Sequence, residues 1–307
     1  MSSTAGPAFV GRVATGGART GSVLPSGASS ARPGCEPRGK RVAIDIKSPK
    51  EIELMRTVCR LAAETLVLVG EKIRLGMTTE DINRIVHEDT LRQGARPAPL
   101  NYKGFPKSVC TSVNDIVCHG IPDGTVLKNG DIVNVDVTHV YEGFHGDTSA
   151  TFYMGTPSPQ ARHVVEVARR SLDAGITQVR DGARLGDIGA AIQEYVEGEG
   201  CSVVRDFVGH GIGRKFHDAP QVKHYGRRGT GDRVRTGMTF TIEPMVNVGG
   251  WEVDVDPKDK WTVRTADGSL SAQFEHTVLV TRDGCEILTA RTKALRSSEN
   301  VDALFVA

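Results

Sequence analysis

Apolar residues recur at two different periods along this chain, and the switch between them marks out its elements. Ser48-Pro49-Lys50-Glu51 joins a helix-capping serine, a proline at the first helical position and the glutamate of a reciprocal capping box. Ile52, Met55, Cys59, Ala62 and Leu66 follow at helical spacing. A second helix is predicted from Thr78 or Thr79 to near Gly94, with Ile82, Ile85 and Val86 turned inward. Ser158-Pro159 opens a third, expected to end at Asp181-Gly182, and a fourth is expected from Asp187 to Gly198. Between and after these pairs the period drops to two. Asp131–Val137 and Met238–Glu243 are β-branched and alternating, and read as strands. The order helix, helix, strands therefore occurs twice, an α+β pattern.

The duplication can be followed residue by residue. Ile73–Ile82 lines up with Val179–Ile188 at an offset of about 106, and Gly130 and Gly237 each precede an acid by six residues, Asp136 and Glu243. Val117–Ile121 echoes Val208–Ile212 around His119 and His210, at a shorter offset. Each half supplies one more acid on a later strand, Asp147 and Glu275. Two related halves packed about a pseudo-two-fold axis would bring equivalent positions together. An ionised carboxylate at the end of an otherwise apolar strand is costly unless paired or coordinated. Four of them meeting in a core call for about four positive charges, which two divalent cations supply. Carboxylates with one imidazole suit Mn, Fe, Co or Zn better than a thiolate-bound metal.

Composition narrows the classes. The 307 residues are 39% hydrophobic and 24% charged, enough to bury a core, and no apolar run approaches the ~18 residues that span a bilayer. The net charge of +1 is unevenly spread: residues 1–42 carry +5 and the remainder −4. Any basic footprint thus lies in the tail, which argues against specific nucleic-acid binding by the body. Gly, Ser, Ala and Pro fill 24 of the first 42 positions, so that segment is expected to be disordered. The expected organisation is a tail over 1–42, a catalytic body over 43–290 and a short C-terminal tail over 291–307. Six cysteines without a CxxC pair read as reduced thiols. Gly209-His-Gly-Ile-Gly213 lacks the spacing and long helix of a nucleotide loop. Cys118 and His119 are neighbours on an extended segment, so their side chains are expected on opposite faces.

Asn101-Tyr-Lys-Gly-Phe-Pro-Lys-Ser-Val-Cys110, Val117-Cys-His-Gly-Ile-Pro122, Gly146-Asp-Thr148, Gly209-His-Gly-Ile-Gly213, Thr241-Ile-Glu-Pro-Met245 and Ala272-Gln-Phe-Glu-His276 occur in one order. Together they resemble type I methionine aminopeptidases, over about residues 46–290. The resemblance implies the pita-bread aminopeptidase fold, two pseudo-symmetric α/β halves around a dinuclear metal centre. It implies five ligands, Asp136, Asp147, His210, Glu243 and Glu275, with Asp147 and Glu275 bridging two divalent ions. His119 is then expected near the scissile amide, His217 at the developing oxyanion, and Glu243 in proton transfer. Tyr102, Phe105, Cys110, Phe216 and Trp261, with His119 and His217, would form the substrate site. Phe105 stands where many members carry tyrosine. The implied reaction is removal of the initiator methionine before a small second residue, by a hydroxide bridging the two metals.

A cytoplasmic, bacterial, monomeric enzyme acting on nascent chains fits these features, with the ribosome a candidate partner of the tail and no membrane partner. Two alternatives remain at this level: a proline-specific dipeptidase of the same fold, and a binding protein that kept the fold without catalysis. The first would usually carry a large N-terminal domain, and the second predicts a missing ligand or histidine.

Overall fold

The computed structural model describes residues 43–291. The tail expected over 1–42 lies outside the described residues, as does the C-terminal tail expected over 291–307 apart from Arg291, which is buried in the body. Four helices form where the sequence places them. In α1 (Pro49–Lys72) the Ser48 main-chain N–H donates to Glu51 Oε2 at 3.0 Å, and Ser48 Oγ accepts from the Glu51 N–H. α2 (Thr79–Arg92) repeats the device with Thr78 and Asp81. α3 (Pro159–Ile176) ends before the expected Asp181-Gly182, because Val179 turns into the core instead of extending the helix. α4 spans Leu185–Gly198.

Six strands build the centre: β1 (Cys110–Val113), β2 (Ile132–Tyr141), β3 (Phe144–Tyr153), β4 (Gly209–Gly211), β5 (Thr239–Ile242) and β6 (Glu275–Val280). β2 runs four residues beyond the predicted Val137 because it stays paired with β3 along ten positions. Within the main sheet these six lie in the order β1-β2-β3-β6-β5-β4, so the second half mirrors the first across the β3–β6 seam. Paired local features follow the same duplication. Gly76 and Gly182 have φ of 82° and 86°, and Gly130 and Gly237 have 97° and 86°. Isolated bridges join Thr78 to Val126 in one half and Arg184 to Arg233 in the other.

One expected equivalence fails. The strand Ile116–Cys118, just before His119, belongs to a separate three-stranded sheet with Val253–Val255 and Val263–Thr265. The strand that mirrors β4 is β1, so His119 and His210 reach the centre from non-equivalent places. The shorter offset between their motifs was the sequence-level sign of this.

Alternation divides the two faces of the central strands. Val133, Val135 and Val137 of β2, Ala150 and Phe152 of β3, Phe240 and Ile242 of β5 and Val278 and Val280 of β6 join one core. Leu66 and Val69 of α1 and Ile188 and Ile192 of α4 complete it. The opposite face carries Asn134, Asp136 and Thr138 on β2, and Asp147 and Ser149 on β3. The seam itself is short, with Glu275 opposite Ser149 and His276 opposite Thr148. Buried Arg291 fastens it: Nη2 donates to Ser149 O at 2.8 Å, Thr148 Oγ1 at 2.9 Å and Glu275 O at 3.3 Å.

Losing these charge-assisted bonds strands buried carbonyls. Arg291→Ala is therefore expected to destabilise the chain by roughly 2–4 kcal/mol. Equilibrium urea unfolding at pH 7 checks this; an unchanged midpoint would remove Arg291 from the seam's energetics.

Candidate metal centre

Residues directly opposite each other in an antiparallel pair share a face, so register decides which side chains meet. Asp136 lies opposite Ser149, which lies opposite Glu275, while the adjacent row joins Thr138 to Asp147. On the far side Thr241 of β5 lies opposite Thr277, two residues from Glu275, and Glu243 follows just after β5 ends. Two neighbouring rows thus gather all four acids. β4 contributes the imidazole: the His210 main-chain N–H donates to Thr241 Oγ1 at 3.0 Å. That approach needs glycine on both sides. A Cβ on Gly209 would stand 2.4 Å from the Thr241 carbonyl oxygen, and one on Gly211 2.0 Å from that of Ala219.

His210 Nδ1 donates to its neighbour's carbonyl, Gly211 O, at 3.1 Å, which leaves the Nε2 lone pair free. Nε2 lies 3.7 Å from Asp147 Oδ2 and 3.7 Å from Glu243 Oε1. Burial holds this imidazole down at about 4, so it is neutral near pH 7. Candidate donor atoms of Asp147, His210 and Glu275 all lie within 4.8 Å of one another. Thr138 Oγ1 donates to Asp147 Oδ1 at 2.7 Å, and Thr241 Oγ1 to Glu243 Oε1 at 2.7 Å. Gln273 Nε2 reaches Glu243 Oε2 at 3.3 Å, and the Glu243 N–H donates to Nε2 of fully buried His224 at 3.1 Å.

These bonds orient the acids without neutralising them. Burial raises Asp136 to about 6 and Glu243 to about 8. Burial, then the neighbouring carboxylates, push Asp147 and Glu275 well above the usual range. Asp136 Oδ1 and Glu275 Oε1 are buried with no hydrogen-bond partner among the described residues. Hard oxygen donors, one imidazole nitrogen and unpartnered buried oxygens fit divalent cations.

The acids form the floor of a cavity of about 300 Å³, which all twelve site residues expected from the sequence line. Its walls are largely apolar. Phe105 meets Trp261 edge-on at 5.2 Å, Tyr102 packs on Phe216 at 5.0 Å, and Met245 and Phe207 complete the lining. His119 enters with φ of 55°, and its ring stands edge-on to Phe207 at 5.5 Å. Burial pulls its imidazole down to about 4. Cys118 and His119 were expected on opposite faces, yet both line the cavity, because the left-handed backbone at His119 breaks the extended alternation. Neither Cys110 nor Cys118 is a nucleophile here: burial, then the surrounding carboxylates, hold both thiols well above their ordinary range. His217 packs against His210 with ring centroids 4.2 Å apart, and its Nδ1 lies 3.0 Å from Tyr102 Oη.

Sequence reasoning missed Thr138, Thr241, Gln273, His224 and Arg291. The first two sit two residues from a predicted ligand on the same strand face, so period-two alternation could have flagged them. Gln273 lies two residues before Glu275 inside the Ala272–His276 motif, whereas His224 and Arg291 meet their partners across longer separations and left no local signal.

Comparison with known proteins gives a consistent picture. The profile of metallopeptidase family M24 matches residues 53–282. The chain is 54% identical over 247 residues to methionine aminopeptidase A of Synechocystis sp., covering 80% of this chain and 97% of that one. It is 52% identical to the methionine aminopeptidase of Escherichia coli K12, covering 81% and 95%. The crystal structure of methionine aminopeptidase from Rickettsia prowazekii superposes with a TM-score of 0.80 at 50% identity, over 81% of this chain and all of that one. A Xaa-Pro dipeptidase from Bacillus anthracis shares the fold, with a TM-score of 0.67 at 21% identity and 63% of that chain covered.

A carboxylate whose folded pKa is raised opposes folding as pH climbs from about 4 through the raised value, and a bound cation relieves that cost. Cation binding near pH 7 must therefore expel protons from the acids, while His210, already neutral, contributes none. Calorimetric titration of Mn²⁺ into metal-free protein, in two buffers of different ionisation enthalpy, is expected to show net proton release. Apparent affinity should rise between about pH 5 and pH 8. Proton uptake would contradict this electrostatic picture.

Proposed function

This chain belongs to metallopeptidase family M24, grouping within it with the methionine aminopeptidases, and on that premise we propose how its residues remove an N-terminal methionine. The observation that carries the reading is the convergence of four carboxylates and one neutral imidazole on the floor of an apolar, aromatic-walled cavity. Asp136, Asp147, His210, Glu243 and Glu275 are the residues that would hold two divalent cations, with Asp147 and Glu275, at the seam, placed to serve both. Mn, Fe, Co and Zn all suit that donor set. Cations held there polarise the scissile carbonyl and acidify water.

The remaining chemistry belongs to the chain itself. The methionine side chain enters between Phe105, Trp261 and Cys110, where thioether–aromatic contacts favour it. His119 contacts the first peptide amide and fixes its distance from the acids. His217 donates a hydrogen bond to the carbonyl oxygen as negative charge develops on it. Glu243, its carboxylate oriented by Thr241 Oγ1 at 2.7 Å, would take a proton from the attacking water and pass it to the departing amine. Likeness to the methionine aminopeptidases supports a preference for a small second residue. We assign catalysis to residues 43–290 and place the enzyme in the cytoplasm, where chains begin with methionine. The described cysteines are free, which agrees with a reducing compartment. The basic tail is the segment suited to ribosomal contact, and the chain is taken to act as a monomer.

The dipeptidase alternative has fold-level likeness behind it, since the dipeptidase and prolidase structures compared are 20–22% identical. The non-catalytic alternative predicts a lost ligand or histidine, and none is lost.

His119→Ala is expected to lower kcat on Met-Ala-Ser by about 10² or more while fold and metal content persist; unchanged kcat would sink its role. Glu275→Gln should halve or abolish retained metal, as elemental analysis after gel filtration would reveal, and a full complement would contradict the assigned bridge.

A further inference from the structure

The sequence marks Tyr102 as a wall of the methionine pocket, but its hydroxyl lies 3.0 Å from Nδ1 of His217. His217 makes no other hydrogen bond with the described residues, and it is exposed on its outer side. An imidazole so placed needs a partner to fix both its orientation and its proton. We propose that Tyr102 is a positioning residue whose hydroxyl donates to His217 Nδ1, fixing the tautomer that presents Nε2–H to the substrate carbonyl oxygen. This deepens the proposed function and rests on its assignment of His217.

Three observations carry the direction of that hydrogen bond. First, a neutral imidazole has a single N–H, so an Nδ1 that accepts leaves the proton on Nε2. Second, the Lys103 ammonium sits 5.3 Å from the Tyr102 ring centroid, which withdraws electron density from the phenol and makes its O–H the stronger donor of the pair. Third, the chemistry needs a donor: an Nε2 lone pair would repel the charge that develops on the carbonyl oxygen.

The backbone around Tyr102 is built for this placement. Asn101 and Lys103 flank it with φ of 67° and 47°, a region side-chain-bearing residues rarely adopt. The turn is closed by Tyr102 N–H to Pro99 O at 2.9 Å and Phe105 N–H to Tyr102 O at 2.9 Å. Phe216 backs the Tyr102 ring at 5.0 Å and is itself stacked on His145 at 5.5 Å. Strained dihedrals that persist because the surroundings determine them are a mark of functional sites.

The test uses full-length protein labelled with ¹⁵N-histidine, loaded with diamagnetic Zn²⁺ and also metal-free. Long-range ¹H–¹⁵N spectra report the tautomer directly, with His217 assigned by its loss in His217→Gln. The expected wild-type result is a protonated Nε2 and an unprotonated Nδ1. Tyr102→Phe keeps the ring but should shift both nitrogens toward averaged values. It should lower kcat on Met-Ala-Ser about tenfold or more, with KM within about threefold. A wild-type ring protonated on Nδ1 overturns the proposal, and so does a Tyr102→Phe variant with unchanged spectra and kcat. An unchanged kcat in His217→Gln would instead remove His217 from the reaction while leaving the tautomer result standing. Where His217→Gln fails to fold, His217→Asn supplies the same assignment.

Discussion

Four carboxylates share one face of a sheet whose other face is a packed apolar core, and that arrangement is unfavourable in the chain alone. Asp147 and Glu275 are buried to 4% and 2% exposure, and two acid oxygens find no hydrogen-bond partner among the described residues. Among the described residues, Arg291 is the cation that eases Glu275, by its charge and by a bond to the Glu275 main-chain oxygen at 3.3 Å. Hydroxyls from Thr138 and Thr241 orient the carboxylates but supply no positive charge. The site is therefore held ready for cations by a scaffold stable enough to tolerate the repulsion. That stability comes from the valine-rich opposite face and the helices laid over it.

The duplication explains how such a site arises. Each half provides a strand pair with one acid on each strand, and packing the halves edge to edge joins β3 to β6. Residues that would be ordinary strand acids in either half become a cluster of four at the seam. The symmetry stops at the acids. His210 comes from a glycine-flanked strand in the main sheet, whereas His119 comes from a left-handed turn after a strand of a different sheet. His217 is held from outside by Tyr102, part of a turn with two strained residues. The shared parts supply the carboxylates, and the unshared parts line the cavity above them.

Much of this was legible in the sequence because it is local or periodic. Ser48 with Glu51 and Thr78 with Asp81 announce their helices within four residues. Valines alternating with Asn134, Asp136 and Thr138 announce a strand with one polar face. The acids became conspicuous through the repeat, and the family motifs then supplied His119 and His217. What stayed hidden depends on distant partners or on single dihedrals. The end of α3 was set by burial of Val179, not by helix propensity. The faces of Cys118 and His119 turned on one φ of 55°. Arg291 stabilises a seam with contacts 16 to 143 residues away, and His224 meets Glu243 only after the sheet has folded.

The most direct measurement is methionine release from Met-Ala-Ser by full-length protein stripped with chelator and resupplied with Mn²⁺, Fe²⁺, Co²⁺ or Zn²⁺, with Ala-Pro as the control substrate. The account predicts no release from the stripped protein, restoration that saturates near two equivalents of a divalent metal, and no cleavage of Ala-Pro. Release that persists without metal, or cleavage of Ala-Pro alone, would contradict it.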